Sequence, residues 1–489
     1  DYDKFGRVEK GYLPLFGSVN SINSRYTLAK FDALNRLYEQ VEPGNRVTTR
    51  QYNGLTTTMT NAIGQTQVET RNINGDLLSV TDNAGQTLTY TYNSKGQFTR
   101  LTDNQNNAVI NTIDYAGHKV QTNDPDKGLW SYQYNGFGEL VRQVDARGVA
   151  IIQEYDQLGR LIRRIDNAAY TGHASIAGID TQTTCWIYES APMGTTGQNV
   201  KGGLHKTLLY PGTVNCQSPG SVIPLQEKET GYDNLARAES QLQRLKSEGS
   251  SSIESYLTQS IFEEYSSRVE ATILPEAMML QNHYDAYGTL IKITDGQDTS
   301  KVYRTIHDID VFGNVIDETI GYGAAAIPTN RGYNLNTGYL DWIVAGQQGS
   351  ALVDLTQTFD AIGNVLSRND LVTGRNETCG YEENGQSNSL NRLTTFTLNG
   401  TLNKSYRYDA LGNMTSKSDM GNDYRYGAGS AGPHAVTSIY HNSSLKRSFG
   451  YDNNGNMVSD TDHANSDSNR TIQYAAFEKP VFIQKGTTN

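Results

Sequence analysis

Six glycines, Gly54, Gly75, Gly96, Gly117, Gly138 and Gly159, stand at a constant spacing of 21 residues. A second series, Gly64, Gly85, Asn106, Lys127 (with Gly128 beside it) and Gly148, keeps the same 21-residue step, 10 or 11 residues out of phase. From about residue 50 to 165 the chain therefore turns every 10 or 11 residues, in two alternating kinds. A fixed internal period is the mark of an array whose units are stabilised by stacking on their neighbours. A turn at that spacing leaves roughly six residues for each element, which is the usual length of a strand.

The residues at the turns fit that reading. The first kind reads YNSKGQF (92–98), YNGFGEL (134–140) and YDQLGRL (155–161); the second reads TNAIGQT (60–66), TDNAGQT (81–87) and VDARGVA (144–150). Between them lie alternating runs such as Leu88-Thr89-Tyr90-Thr91-Tyr92. Period-two alternation bounded by Gly, Asn and Asp signals strands joined by hairpins. Asp and Asn bond to backbone two residues on and Gly accepts positive φ, so the turn has a mechanism.

The first heptad recurs as YDKFGRV (2–8), YDAYGTL (284–290), FDAIGNV (359–365), YDALGNM (408–414) and YDNNGNM (451–457). Degenerate copies are FDALNRL (31–37), YDNLARA (232–238), IDVFGNV (309–315) and SNSLNRL (387–393). Asn replaces Gly in two of these, and Asn also tolerates a left-handed position. Ala236 stands there in YDNLARA, so that turn is expected to be strained or differently shaped. A structural repeat-turn role is assigned to Tyr2, Asp3 and Gly6, and to Tyr155, Asp156, Gly159 and Arg160. The same role goes to Tyr284, Asp285 and Gly288, to Asp360 and Gly363, and to Tyr408, Asp409 and Gly412. Tyr451, Asp452 and Gly455 complete the set.

Composition agrees. The chain of 489 residues holds 47 Gly and 31 Tyr but is only 36% hydrophobic, unlike a helical enzyme rich in Leu and Ala. Its net charge of −11 argues against nucleic acid and anionic membranes as partners, and no apolar run is long enough to span a bilayer. Three cysteines are too few for a disulfide scaffold; Cys185 and Cys216 are close enough in sequence to pair, but free thiols are expected. The period divides the chain into a regular array (1–165), an irregular insertion or long-loop region (166–230) and a degenerate array (231–489). A shorter irregular stretch covers about 321–350. Leu235, Leu242 and Leu245 give 232–248 a helical pattern in isolation, but the flanking YDNLARA favours strand-turn-strand.

YDQLGRL at 155–161 resembles the signature of the RHS or YD-repeat family at every position. The C-terminal third is similar to the family in order: SLNRLTTF (389–396), YDALGNM, YRYGAGSAGPHAVTSI (424–439), YDNNGNM and RTIQYAAFEKPVFI (470–483). The family includes toxin-complex B and C components, polymorphic Rhs toxins, wall-associated bacterial proteins and teneurins. The resemblance implies an all-β fold, a hairpin ribbon spiralling into a hollow β-shell, of which this chain would be a part. It implies a secreted or cell-surface bacterial protein whose shell encloses a C-terminal effector. The partners implied are neighbouring shell segments, the enclosed effector and other toxin-complex or secretion-system subunits. The family's repeat-associated core and self-cleavage region should follow RTIQYAAFEKPVFI, and the sequence stops at Asn489, so no autoprotease residue is carried over. The chain thus reads as a piece of a longer or processed protein.

No residue set stands out as an active site, so catalytic, cofactor and metal sites are all predicted to be none. Gly427, Gly429 and Gly432 form a G-x-G-x-x-G string, which needs a strand before it and a helix after it to bind a dinucleotide. The eight histidines (118, 173, 205, 283, 307, 434, 441 and 463) lack metal-ligand spacing, although His434 and His441 could approach. Asn123 to Gly128 faintly resembles a calcium loop without its closing acid. Asp460 and Asp462 read as a solvated loop. The function expected is a non-enzymatic encapsulating shell segment. The alternative is an adhesion or glycan-binding array with exposed aromatics, and a carbohydrate-active enzyme using surface acids ranks last.

Overall fold

The computed structural model describes all residues except 15–24, 170–173, 189–191, 194–197, 201, 248–251, 348, 383–388 and 487–489. His173 and the Gly-rich piece at 194–197 fall outside the described residues. The fold is all-β, a long antiparallel sheet of short strands joined in sequence order; three single-turn 3₁₀ segments are the helical structure among the described residues. None of these is long or apolar enough to cross a membrane.

The chain divides into two compact units, each made of segments distant in sequence. The first comprises Asp1–Val109, Arg304–Arg425 and Ile439–Lys446. Its early ribbon runs through Tyr26–Phe31, Leu37–Glu42, Arg46–Asn53, Thr56–Thr60, Thr66–Arg71, Leu77–Thr81, Thr87–Tyr92 and Phe98–Thr102, each antiparallel to the next. Its late ribbon repeats the pattern from Val315–Ile320 to Met414–Lys417.

The second unit comprises Ile110–Tyr303, Tyr426–Ser438 and Arg447–Asn489. Hairpins follow one another from Lys119–Asp124 to Leu161–Asp166. The ladder then continues through Gln182–Ile187, Lys206–Pro211 and Gln226–Tyr232. Cys185 and Cys216 form a disulfide there, which corrects the expectation of free thiols. The reason is burial: Cys185 lies in a small core with Leu208, Tyr210 and Val214, and the connection after Lys206–Pro211 returns Cys216 to its side. Cys379 is free.

Most strand residues are half-buried rather than buried, as in a single sheet layer. Long apolar cores are replaced by ladders, turns and the small cluster around the disulfide. Residues 238–246 form a strand, paired with Gln226–Tyr232 and Ile253–Phe262, so the leucines of 232–248 belong to hairpins. The preceding turn has the ordinary shape: Ala236 donates its N–H to the Asp233 carbonyl at 3.0 Å, with φ at 62°. It is the expected strain and not a new geometry, because Ala is held where Gly sits elsewhere.

Two outcomes follow. Ala236→Gly relieves the left-handed Cβ penalty and should raise the unfolding free energy by about 1 kcal/mol in urea titration. Reduction of the Cys185–Cys216 bond, whose partners are 31 residues apart, should lower it by about 3–4 kcal/mol in the same assay.

Candidate functional site

The recurring site of this protein is its turn, and YDQLGRL at 155–161 shows the full design. The strand Ala150–Tyr155 enters and Leu161–Asp166 leaves. Gly159 donates to the Asp156 carbonyl at 3.1 Å and Asp156 to the Arg160 carbonyl at 3.0 Å. Both bonds require a left-handed residue at 159, and Gly159 has φ of 75°. The Asp156 carboxylate then satisfies the tip: one oxygen accepts from the N–H of Leu158 at 2.9 Å and of Arg160 at 3.0 Å. Its other oxygen accepts from Nε of Arg160 at 2.6 Å.

The remaining face of that guanidinium reaches the next hairpin. The Arg160 guanidinium lies 4.6 Å from the ring centre of Tyr188. Arg36 over Tyr52, Arg237 over Phe262, Arg268 over Tyr284 and Arg392 over Tyr408 repeat the arrangement. His118 stacks on Tyr134 in the same place. The aromatic hydroxyl closes the link. Tyr155 donates to the Leu140 carbonyl, Tyr284 to Val269, Tyr408 to Leu393 and Tyr451 to Val436, each 15 residues back. Tyr52, Tyr92 and Tyr134 do the same. Fifteen residues back from a heptad's first residue is the seventh residue of the heptad before it when the period is 21. The ladder shifts register by one residue just before these tyrosines, at Gln133/Tyr134, Glu154/Tyr155 and Gly450/Tyr451 among others, whereas the second-kind turns at Val144–Ala150 and Thr81–Thr87 close without a shift. A bulge re-aims the side chain it precedes.

Positions two and six of the heptad obey a donor–acceptor rule. Where position two is Asp, position six donates: Asp3 takes Arg7, Asp114 takes His118, and Asp360, Asp409 and Asp452 take Asn364, Asn413 and Asn456. Where position two is Asn, position six accepts: Asn72 with Asp76, Asn93 with Gln97 and Asn135 with Glu139. Asn61 with Gln65 shows that the second kind of turn follows the rule too. Asp285 keeps the backbone part with Tyr287 and Thr289. Gly6, Gly288, Gly363, Gly412 and Gly455 all hold positive φ at their turns. Tyr2 makes only an isolated bridge to Val8 and is exposed.

The sequence did not announce a second feature, the seam where the second kind of turn meets the first kind in a later ribbon. In the first unit the buried Gln65 amide donates to the carbonyl and hydroxyl of Ser389 at 3.2 and 2.7 Å and to Asn391 at 2.8 Å. Asn83 donates to the same carbonyl at 3.0 Å. In the second unit Asn454 donates to the buried Asp145 at 2.6 Å, and Arg147 pairs with Asp145 at 2.8 Å and reaches the carbonyls of Ala475 and Ala476. Asp126 receives both the backbone N–H and Nδ1 of His434. The signal available in the sequence was slight: polar residues at tips that a solvated turn does not require.

Other candidates are absorbed by the fold. Asp124 accepts the N–H groups of Asp126 and Lys127, so the calcium-like stretch is a turn. Gly427 bonds to Ala435, and the strand Val436–His441 follows where a dinucleotide site needs a helix. Asp460 is buried between Arg447 and Arg470, which corrects its reading as a solvated loop residue; Asp462 caps Ala464 and Asn465. Burial pushes the Tyr451 hydroxyl up to about 12, which keeps it a donor.

Against known proteins, residues 74–108 match the RHS Repeat model. That stretch carries an RHS repeat. No curated protein matches it. The whole chain is similar to the crystal structure of TcdB2-TccC3, at 14% identity and a TM-score of 0.70, covering 100% of this chain and 28% of that one. The TcdB2-TccC3-Cdc42 structure gives 14% and 0.67, with 94% and 26% covered. A Photorhabdus luminescens Tc holotoxin pore gives 15% and 0.58, with 92% and 22% covered. The chain thus spans about a quarter of the length of these structures and shares their fold.

The turn chemistry sets a pH dependence. The N–H of residue six holds the carboxyls of Asp32, Asp114, Asp156 and Asp285 below the usual aspartate range. A depressed folded value contributes stability above the unfolded value, near 3.8, and loses it as pH falls through the folded one. The urea midpoint should therefore stay level above about pH 5 with respect to these groups and fall progressively below about pH 4. Within one turn, Asp156→Asn should lower the melting temperature, and adding Arg160→Gln should recover part of the loss by restoring a donor–acceptor match. Asp145→Ala, which strands Arg147 at the seam, should cost about 3 kcal/mol in urea unfolding.

Proposed function

We propose that the chain is a non-enzymatic wall segment of a secreted toxin-complex-type shell that houses an effector polypeptide. The observation that carries this is the fold match along the whole chain to TcdB2-TccC3. The turn lock supports it, since the motif residues are spent on holding hairpins together rather than gathered in a cleft. A wall needs stiffness without a thick core, and a sheet whose edges are tied turn to turn supplies that. On this reading the partners are further shell segments, the effector and other toxin-complex subunits, and the protein acts outside the cell that makes it.

The test is protection. In the natural polypeptide that bears this chain, the effector segment should resist protease until the wall is unfolded, and the same segment expressed alone should be cut at once. Equal cleavage in both settings would remove the encapsulation reading. One observation favours the adhesion reading instead: Tyr115, Tyr265 and Tyr287, at turn tips of the second unit, are at least 90% exposed. Binding on a glycan array that disappears on changing all three to Ala would support it.

A further inference from the structure

The second unit carries a strap that a covalent bond holds down. Between Lys206–Pro211 and Gln226–Tyr232 the chain runs through residues 215–224. The ends of this stretch are fixed. Gly212 donates to the Thr181 carbonyl at 2.7 Å, and the buried Val214 donates to Oγ1 of Thr183 at 3.0 Å. On the far side Leu225 donates to the Leu209 carbonyl at 2.7 Å. Among the described residues, every hydrogen bond of 215–224 itself stays inside the segment: Gln217 and Ser218 donate to Asn215, and Val222 donates to Pro219. The segment holds no Asp, Glu, Lys, Arg or His, and Val222 and Ile223 are exposed. The Cys185–Cys216 bond is what ties it to the ladder.

The two sulfurs differ in access. Cys185 is fully buried, with Arg163 directly across from it on one neighbouring strand and Leu208 on the other. Cys216 lines an open hollow of about 620 Å³ walled by Leu158, Trp186, Ile187 and Tyr188. A hollow of that size admits a small molecule. Residues directly opposite on adjacent strands share a face, so Arg163 stands beside Cys185. The Nε–H of Arg163 is buried and has no acceptor. A thiolate at Cys185 supplies an acceptor there, and a neighbouring guanidinium favours the thiolate. We propose that Cys185–Cys216 is a thiol-exchange site, opened by a low-molecular-weight thiol that enters through Cys216. The incoming thiolate attacks Sγ of Cys216; the S–S bond breaks and its electron pair stays on Cys185, facing Arg163. A second thiolate attacks the sulfur that the first one brought, and the small disulfide leaves with Cys216 as a thiolate. Both protein thiolates take protons from water. Two small thiols are oxidised to one disulfide while the protein disulfide is reduced to two thiols. The strap lifts, and the ladder stays paired because its hydrogen bonds do not involve 215–224. Resting on the secreted-shell reading, the strap is closed outside cells and released in a reducing cytosol.

Glutathione and the folded full chain test the proposal. At about 5 mM reduced glutathione, without denaturant, mass spectrometry of acid-quenched samples should find the mixed disulfide on Cys216 and none on Cys185. Protease cleavage within 215–224 should rise at least about tenfold on reduction. Amide exchange in Gln182–Ile187 and Lys206–Pro211 should stay as it was. Arg163→Gln should slow the exchange about tenfold in the folded chain and leave it unchanged in urea, where no leaving thiolate is held. Cys185→Ser with Cys216→Ser should show the fast cleavage without any thiol. The wild-type measurements decide the matter if a variant does not fold. A bond that yields only when the ladder unfolds, a glutathione adduct on Cys185, cleavage unchanged by reduction, or an Arg163→Gln chain that exchanges at the wild-type rate would each overturn it. None of these readings requires an effector, so they fail or succeed separately from the protease-protection test of the shell.

Discussion

One acceptor oxygen at position two of the turn organises this protein. A hairpin that reverses over five residues points two backbone N–H groups into its own tip, where no strand can reach them. The Asp156 carboxylate takes both, and its remaining oxygen holds Arg160. A bound Arg160 presents a flat cation to the next aromatic, and that aromatic's hydroxyl returns to a main-chain carbonyl, as Tyr155 does to Leu140. Backbone geometry, charge pairing and stacking are therefore steps of one path that runs along the ribbon edge. Breaking the first step loosens those after it, which is why a residue that looks like turn punctuation sets the 21-residue period.

The sheet gains stability from such local ties because it has little interior to offer. Half-buried strands contribute only part of the burial free energy of a core residue. Charges are instead laid between strands: Glu318 is gripped by Arg304 and Arg331, and Glu377 by Arg368 and Arg375. Each of these acids is almost inaccessible yet doubly paired, the condition under which a buried charge is tolerated. Arrays tied between nearest neighbours behave as sums of unit and interface terms, so a weak turn such as that at Ala236 is carried by its neighbours.

The sequence made the class, the hairpins and the turn residues legible because all three are local. Gly and Asn at left-handed positions, Asp or Asn at the turn start and alternating strands can each be read within ten residues. Asn35 and Asn391 keep positive φ as their substitution for Gly suggests. The pairing of Cys185 with Cys216 was not legible, since it depends on how the ladder returns through Lys206–Pro211. Nor was the seam: Gln65 and Ser389 are 324 residues apart, and nothing within either turn says that the two meet. The donor–acceptor rule between positions two and six lay between these cases. Its residues stood in plain view in YNGFGEL and YDQLGRL, but the rule emerges only when the two positions face each other across the tip.

Polar seams and apolar tips solve different problems. Apolar contact alone would let one ribbon slide along another, because every tip resembles the next. At the seam of the first unit Gln65 matches the carbonyl and hydroxyl of Ser389 and exchanges hydrogen bonds with Asn391. A slip by one repeat would leave that buried amide facing a turn without the same acceptors, and an unsatisfied buried amide costs about 1–3 kcal/mol. Asp145, Arg147 and Asn454 impose the same demand in the second unit. A repeat is uniform enough to extend by simple addition. It therefore needs a few residues that break its uniformity, and Gln65, Asp145 and Asn454 do so from within turns that otherwise keep the repeat.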